Sequence, residues 1–223
     1  PAESAPHHLA YEVVTLEGQA MSGRKGVTLA IDTVLEEARR RAAAVVLEKR
    51  PDLADADALA DAVGVGAVRF AMLKSEAKRV IDFRWDQALN LAGDSAPYVQ
   101  YAHARACSIL RAAAEAGVVG EVRDGAPLGS LEVKLAQTVA RMPAVIAAAA
   151  HDDAPHVVAQ YALDLATAWN GYYNHRGPDG KPDTAVLRAP EGLREARVAL
   201  VARVRDALAS ALELLGIAAP GQM

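Results

Sequence analysis

Near its carboxyl end the sequence places Val198, Val201, Val204, Leu208, Leu212 and Leu215 three and four residues apart. That spacing stacks them on one face of an α-helix, whereas a half-buried strand would need alternation. The same period recurs through Val99, Ala102, Ala106, Ile109 or Leu110, and Ala113. It returns through Val158, Tyr161, Leu165, Trp169 and Tyr172. Hydrophobic residues make up 52% of the 223 but aromatics only 4%, and alanine dominates the first figure. A core made mainly of Ala, Leu and Val suits closely packed helices rather than a sheet. The expected fold class is all-α, a helical bundle from roughly residue 93 onward.

Punctuation in the sequence sets the elements. Glu12–Leu16 is a short β-like run, and the loop that follows it carries Gly18, Gly23 and Gly26 beside Arg24 and Lys25. Asp32 or Thr33 caps a helix to about Leu47. Asp55 to Val63 and Val65 to Leu73 read as two helices joined at Gly64 and Gly66. Asp94-Ser95-Ala96-Pro97 is a helix entry, with Pro97 in the first turn. Gly117 to Gly129 reads as a loop, and Leu131 to about Ala150 as a helix interrupted at Met142-Pro143. Helices follow from Pro155 to about Tyr173 and from Glu191 to Leu215, where Gly216 stops the last. Three regions are expected: 1–28, 29–92 and 93–223. With no sheet to join, the strand near the amino end is expected to lack partners and residues 1–28 to be partly loose.

The net charge of −4 leaves nucleic-acid contact to local patches rather than bulk attraction. One such patch is the run Arg69, Lys74, Lys78, Arg79 and Arg84, which suits either phosphate contacts or a solvated face. A single cysteine, Cys107, excludes an intramolecular disulfide and any multi-cysteine zinc site. It fits a reduced cytoplasmic setting and a packed thiol. His103, His151, His156 and His175 lack ligand spacing, so no metal site is expected. No apolar run reaches the ~20 residues that span a bilayer. Opening on Pro1, without an initiating Met, reads as an excised or processed piece.

Chemistry concentrates in two places. A glycine-rich loop with a hydroxyl (Ser22) and two adjacent cations (Arg24, Lys25), set between strand and capped helix, suits gripping phosphates. The aromatic and amide groups on the segments at 98–105 and 169–173 suit stacking and edge recognition of single-stranded bases, although each aromatic serves equally well as core packing. The amides Gln100 and Asn170 make poor filler and are the stronger candidates.

These segments resemble those of the arginyl-tRNA synthetases. Met21-Ser22-Gly23-Arg24-Lys25-Gly26 is similar to that family's form of the class I KMSKS signature, and His8-Leu9-Ala10-Tyr11 to the run preceding it. Val63 to Phe70, Phe83-Arg84-Trp85-Asp86, Trp169 to Tyr173 and Leu214 to Met223 resemble further family segments. Ala96-Pro97-Tyr98-Val99-Gln100-Tyr101-Ala102-His103-Ala104-Arg105 matches the opening of its anticodon-binding domain almost throughout. Together the segments occur in family order and cover nearly the whole chain.

The resemblance implies the C-terminal part of an arginine–tRNA ligase that acts as a monomer on tRNA(Arg) and ATP, with Mg²⁺ in the complete enzyme. It implies catalytic roles for Ser22, Arg24 and Lys25, and nucleotide binding by Met21, Ser22, Gly23, Arg24, Lys25 and Gly26. Binding of tRNA falls to Tyr98, Gln100, Tyr101, Arg105, Trp169, Asn170, Tyr173 and Met223. The pattern departs at Ala20, where many members carry Lys. No HIGH-type segment or nucleotide-binding fold is present, so this chain alone is expected not to aminoacylate and to need the missing catalytic domain as a partner. The alternative is a free-standing, non-catalytic paralogue that binds RNA or protein through the bundle.

Overall fold

The structure, a computed structural model, describes residues 8–20, 30–49, 55–178, 180 and 182–223. The loop at 21–26, with every residue assigned to nucleotide binding, lies outside them. In chain order the elements are β1 (Val14–Leu16), β2 (Gln19–Ala20), α1 (Ile31–Lys49), α2 (Ala56–Leu73), β3 (Ile81–Phe83) and α3 (Trp85–Ala88). They continue with α4 (Ala96–Glu115), α5 (Ser130–Ala140), α6 (Met142–His151), α7 (Pro155–Asn174) and α8 (Leu193–Leu214).

The periodic stripes are the bundle core. Val99, Ala102, Ala106 and Ala113 of α4, Tyr161, Leu165 and Trp169 of α7, and Val201, Val204, Leu208 and Leu212 of α8 are buried together with Phe70 of α2. Ser95 caps α4, its hydroxyl accepting from the Tyr98 amide at 3.3 Å, with Pro97 in the first turn. Met142-Pro143 opens α6 after a break at Arg141, so proline here restarts a helix rather than bending one. Gly216, at φ +66°, ends α8 in the left-handed conformation that glycine adopts without strain.

Two expectations are corrected. Residues 56–73 form one continuous helix, not two joined at glycines. The glycines instead permit close approach: a Cβ on Gly64 would lie 2.8 Å from the carbonyl carbon and oxygen of Ala38 in α1. Burying that face against α1 outweighs the poor helix propensity of glycine. Gly64→Ala is therefore expected to destabilise by about 1–2 kcal/mol, overpacking exceeding the propensity gain. A thermal midpoint lower by about 2–8 °C would show it, and an unchanged midpoint would contradict the close packing.

The second correction concerns β1, which does have partners. It pairs antiparallel with β2 and parallel with β3, in register Val14–Ile81, Thr15–Asp82 and Leu16–Phe83. Asp82 fixes the hairpin by accepting from the Gly18 amide at 2.7 Å and the Thr15 hydroxyl at 2.9 Å. These bonds, the Gly18 amide first, hold its carboxyl below the usual range. Glu17 Oε1 accepts from the Trp85 amide at 3.0 Å. Phe83 and Trp85 meet edge to face at 4.8 Å between ring centroids, in a second small core with Ala38, Ala67, Val68 and Ala88. The hairpin that enters the 21–26 loop is thus anchored on a segment more than 60 residues downstream.

Candidate nucleic-acid interface

Along α4 and α7 the helical repeat sorts the expected contact residues into a buried row and an exposed row. Tyr101 and Arg105 are one turn apart on α4, and Trp169, Asn170 and Tyr173 share adjacent rows on α7. Trp169 is fully buried, its indole N–H donating to the Ala102 carbonyl at 3.1 Å. It stacks on Tyr172 at 5.9 Å and lies 6.1 Å from Tyr173, tilted by 55°. Tyr101 and Tyr173 stand above this layer, 40% and 43% exposed.

Arg105 joins them. Its guanidinium carbon lies 4.8 Å from the Tyr101 ring centroid and 4.4 Å from that of Tyr173. Its Nη1 donates to Asn170 Oδ1 at 2.5 Å. Because arginine only donates, the Asn170 carbonyl oxygen must face it. The Asn170 NH₂ is thereby left with no hydrogen-bond partner among the described residues. Two aromatic faces, a planar cation and an amide donor, held at fixed spacing, form a surface suited to stacking bases and reading one base edge.

Burial corrects two of the expected contacts. Gln100 and Trp169 are 0% exposed, so neither offers a face to a partner from outside. Gln100 sits in the core because its amide binds backbone there: Nε2 donates to the carbonyls of Ala62 at 3.2 Å and Ala218 at 2.8 Å. Its Oε1 is buried without a partner. Tyr98 is half-buried, its hydroxyl 3.4 Å from Thr167 Oγ1. Met223 packs on the small core of Ala42, Val46, Leu59, Ala60 and Val63. With Tyr101, Leu89 and Pro97 it lines an apolar cavity of about 420 Å³.

The carboxyl-terminal tail is held in place by side chains whose role the sequence did not signal. Arg69 donates to the Gly216 carbonyl, Gln100 to that of Ala218 and Arg111 to that of Gly221 at 3.0 Å. His103 Nδ1 meets the Pro220 carbonyl at 3.0 Å. Burial keeps the His103 pKa below the ordinary histidine value against the raising effect of that carbonyl, and because a carbonyl only accepts, Nδ1–H is the donor. Cys107 Sγ lies 3.6 Å from His103 Nε2, and burial pushes its thiol pKa up.

The basic run from Arg69 to Arg84 is largely engaged internally. Lys74 donates to the Asp94 carbonyl at 2.9 Å, Arg79 pairs with Glu76 at 3.4 Å, and Arg84 lies 3.9 Å from Asp82 and 4.0 Å from Glu17. Lys78 alone among these five has no partner among the described residues. Those residues also hold no cluster of three His, Cys, Asp or Glu side chains able to take a metal ion, and no helix long and apolar enough to cross a membrane.

Comparison with known proteins places this geometry. Residues 99–223 match the DALR anticodon binding domain, and residues 1–87 match the class I (R) tRNA synthetase catalytic domain. The class is thus a synthetase segment continuous with an anticodon-binding bundle. Curated relatives named arginine–tRNA ligase include one from Thermus thermophilus, 53% identical over 100% of this chain and 36% of its own. Another, from Deinococcus radiodurans, is 52% identical over 97% of this chain and 36% of its own. The solved arginyl-tRNA synthetase of Thermus thermophilus superposes with a TM-score of 0.90 at 51% identity, over 97% of this chain and 35% of that one. That of Plasmodium falciparum, at 18% identity and a TM-score of 0.70, shares the fold. The chain belongs to the arginyl-tRNA synthetase family. It spans about a third of the length of the curated relatives it matches.

Proposed function

We propose that this chain recognises tRNA(Arg) by its anticodon loop on the face formed by Tyr101, Arg105, Asn170 and Tyr173, with Met223 and Tyr98 at its edge. The observation that carries this reading is Arg105, fixed between two half-exposed tyrosine rings and bonded to Asn170. A solvent-facing stack flanked by Arg105 N–H groups, two tyrosine hydroxyls and the Asn170 NH₂, none of them bonded among the described residues beyond the Arg105–Asn170 contact, suits a planar ligand with polar edges. Gln100 and Trp169 act from beneath, the first by fixing the tail and the second by supporting Tyr173. In this reading residues 93–223 hold the recognition domain, 29–92 the connecting region and 1–28 the base of the signature loop.

Within a complete enzyme, Ser22, Arg24 and Lys25 would contribute to ATP-dependent arginylation, beside a nucleotide-binding fold that is not among the described residues. ATP supplies the adenylyl group. The part played by the described residues is to hold the loop's entry strand through Asp82 and Glu17. Arginine-dependent ATP–pyrophosphate exchange is expected to be absent from the isolated chain.

A titration of the chain with tRNA(Arg), and with the same tRNA carrying an altered anticodon, tests recognition. At one fixed salt concentration the altered tRNA is expected to bind at least about tenfold more weakly, the loss of roughly 1.4 kcal/mol that one misread base produces. Equal affinity would reduce the interaction to phosphate attraction and overturn the reading. The paralogue alternative is not favoured: family matches run through both the signature-loop segment and the anticodon domain.

A further inference from the structure

Beside the tyrosine stack a cleft of about 410 Å³ opens between α4, the end of α7 and the segment 182–188. Arg105 and Tyr173, which form the stack, also form one wall of this cleft, so the two are continuous. Arg176 and Arg188, both exposed, also line it. Among the described lining residues there is no carboxylate. The adjacent Asp183 is turned onto His175, Oδ1 to Nδ1 at 2.6 Å. Among the described residues Arg176 makes only long bonds to neighbouring backbone carbonyls, at 3.3 and 3.5 Å. Arg188 has no hydrogen bond or ion pair among the described residues.

The wall is preformed. Thr184 is buried, its hydroxyl donating to the Tyr172 carbonyl at 2.6 Å. Val186 is 7% exposed, and Arg197 Nη1 donates to the Ala185 carbonyl at 3.2 Å. Arg188 is therefore presented from a segment tied to α7 and α8. In a chain of net charge −4, three guanidinium groups around one cleft, with no acid among its described lining residues, are a local cationic site.

We propose that this cleft is a sugar–phosphate subsite in which Arg176 and Arg188 bind the backbone of the single-stranded RNA whose bases stack on Tyr101 and Tyr173. The proposal rests on the anticodon reading above and extends it. The stack and Asn170 read bases, while the two arginines hold the strand in register without sensing sequence. Guanidinium forks match phosphate oxygens in shape as well as charge. The shared wall sets the order: a strand leaving the tyrosine stack enters the cleft at once.

The test is the salt dependence of tRNA(Arg) binding by the full chain and by Arg176→Ala, Arg188→Ala and the double variant. Each released phosphate contact on a single strand lowers the slope of log K against log salt by about 0.7. The double variant is therefore expected to lose about 1.4 from the slope while preserving the affinity ratio between cognate and altered anticodons. Arg188→Lys, which keeps the charge, is expected to keep the slope. An unchanged slope in the double variant, with anticodon-dependent binding intact, overturns the subsite and spares the recognition reading. A reduced slope in the double variant, with wild-type binding indifferent to the anticodon, supports the subsite and sinks the recognition reading. No binding by the wild type overturns both.

Discussion

Arg105→Ala is expected to weaken binding of tRNA(Arg) by about 10- to 100-fold at fixed salt, and to erase most of the discrimination between anticodons. The magnitude follows from stacking, worth about 1–3 kcal/mol per base. Arg105 holds the two rings and the Asn170 amide at their spacing, so its loss releases three recognition groups at once. Alanine is the best helix former and the site is half-exposed, so the thermal midpoint should stay within a few degrees. Arg105→Lys is the sharper variant, because a lysine keeps the charge but has neither the flat plate nor the fork. It should behave like alanine in discrimination and like wild type in salt slope. Full discrimination in the lysine variant would show that charge alone matters at this position.

The second large effect is on stability. Glu132 and Arg197 form a buried pair, 2.7 Å apart, at 3% and 8% exposure. Glu132 also accepts from the Tyr172 hydroxyl at 2.9 Å and from the Gly129 amide at the start of α5 at 3.0 Å. Removing one partner strands the other charge, which costs about 3–5 kcal/mol. Glu132→Ala is expected to lower the thermal midpoint by roughly 6–20 °C. Glu132→Leu combined with Arg197→Met should recover part of that loss, because it leaves no uncompensated charge. The Tyr172 hydroxyl and Gly129 amide would still lack their acceptor, so recovery is partial. A double variant as unstable as the sum of the two singles would contradict a coupled pair.

The same pair sets a pH dependence. Burial alone would raise the Glu132 pKa, but its backbone bonding, the Tyr172 hydroxyl and Arg197 outweigh that and hold it below the ordinary glutamate value. A folded-state pKa below the unfolded one contributes stability that is present above the unfolded value, about 4.3. That stability is lost as pH falls from there through the depressed folded value. Acid unfolding of the wild type should therefore steepen below about pH 4.3, and Glu132→Gln should flatten that limb of the stability curve.

What the sequence disclosed divides along physical lines. The helices of the bundle were legible because each has to bury a stripe at a 3.6-residue period, and Val99, Leu165 and Leu208 lie where the spacing puts them. Helix ends at Ser95 and Gly216 were legible because capping and left-handed backbone demand those residue types. The parallel pairing of β1 with β3 was not. A three-residue strand, Ile81-Asp82-Phe83, flanked by Arg79 and Arg84, reads as part of a charged stretch, and its partner is 67 residues away. The continuity of α2 was hidden because glycine signals both a break and a close approach, and only the presence of α1 decides between them.

Of the candidate site, Tyr101, Arg105, Asn170 and Tyr173 were identified from sequence and lie together in the structure. The buried state of Gln100 was not legible, since its partners are carbonyls of residues 62 and 218, distant in sequence. Arg176 and Arg188 carry no local signature, because their juxtaposition depends on how the 182–188 segment folds back on α7.

The central claim is that the Tyr101–Arg105–Tyr173 face receives the anticodon loop. Nuclease footprinting of tRNA(Arg) by this chain tests it most directly. Protection is predicted across the anticodon loop, lost in Arg105→Ala at protein concentrations that saturate the wild type. Protection confined to the acceptor end, or spread evenly along the tRNA and unchanged in the variant, would contradict it.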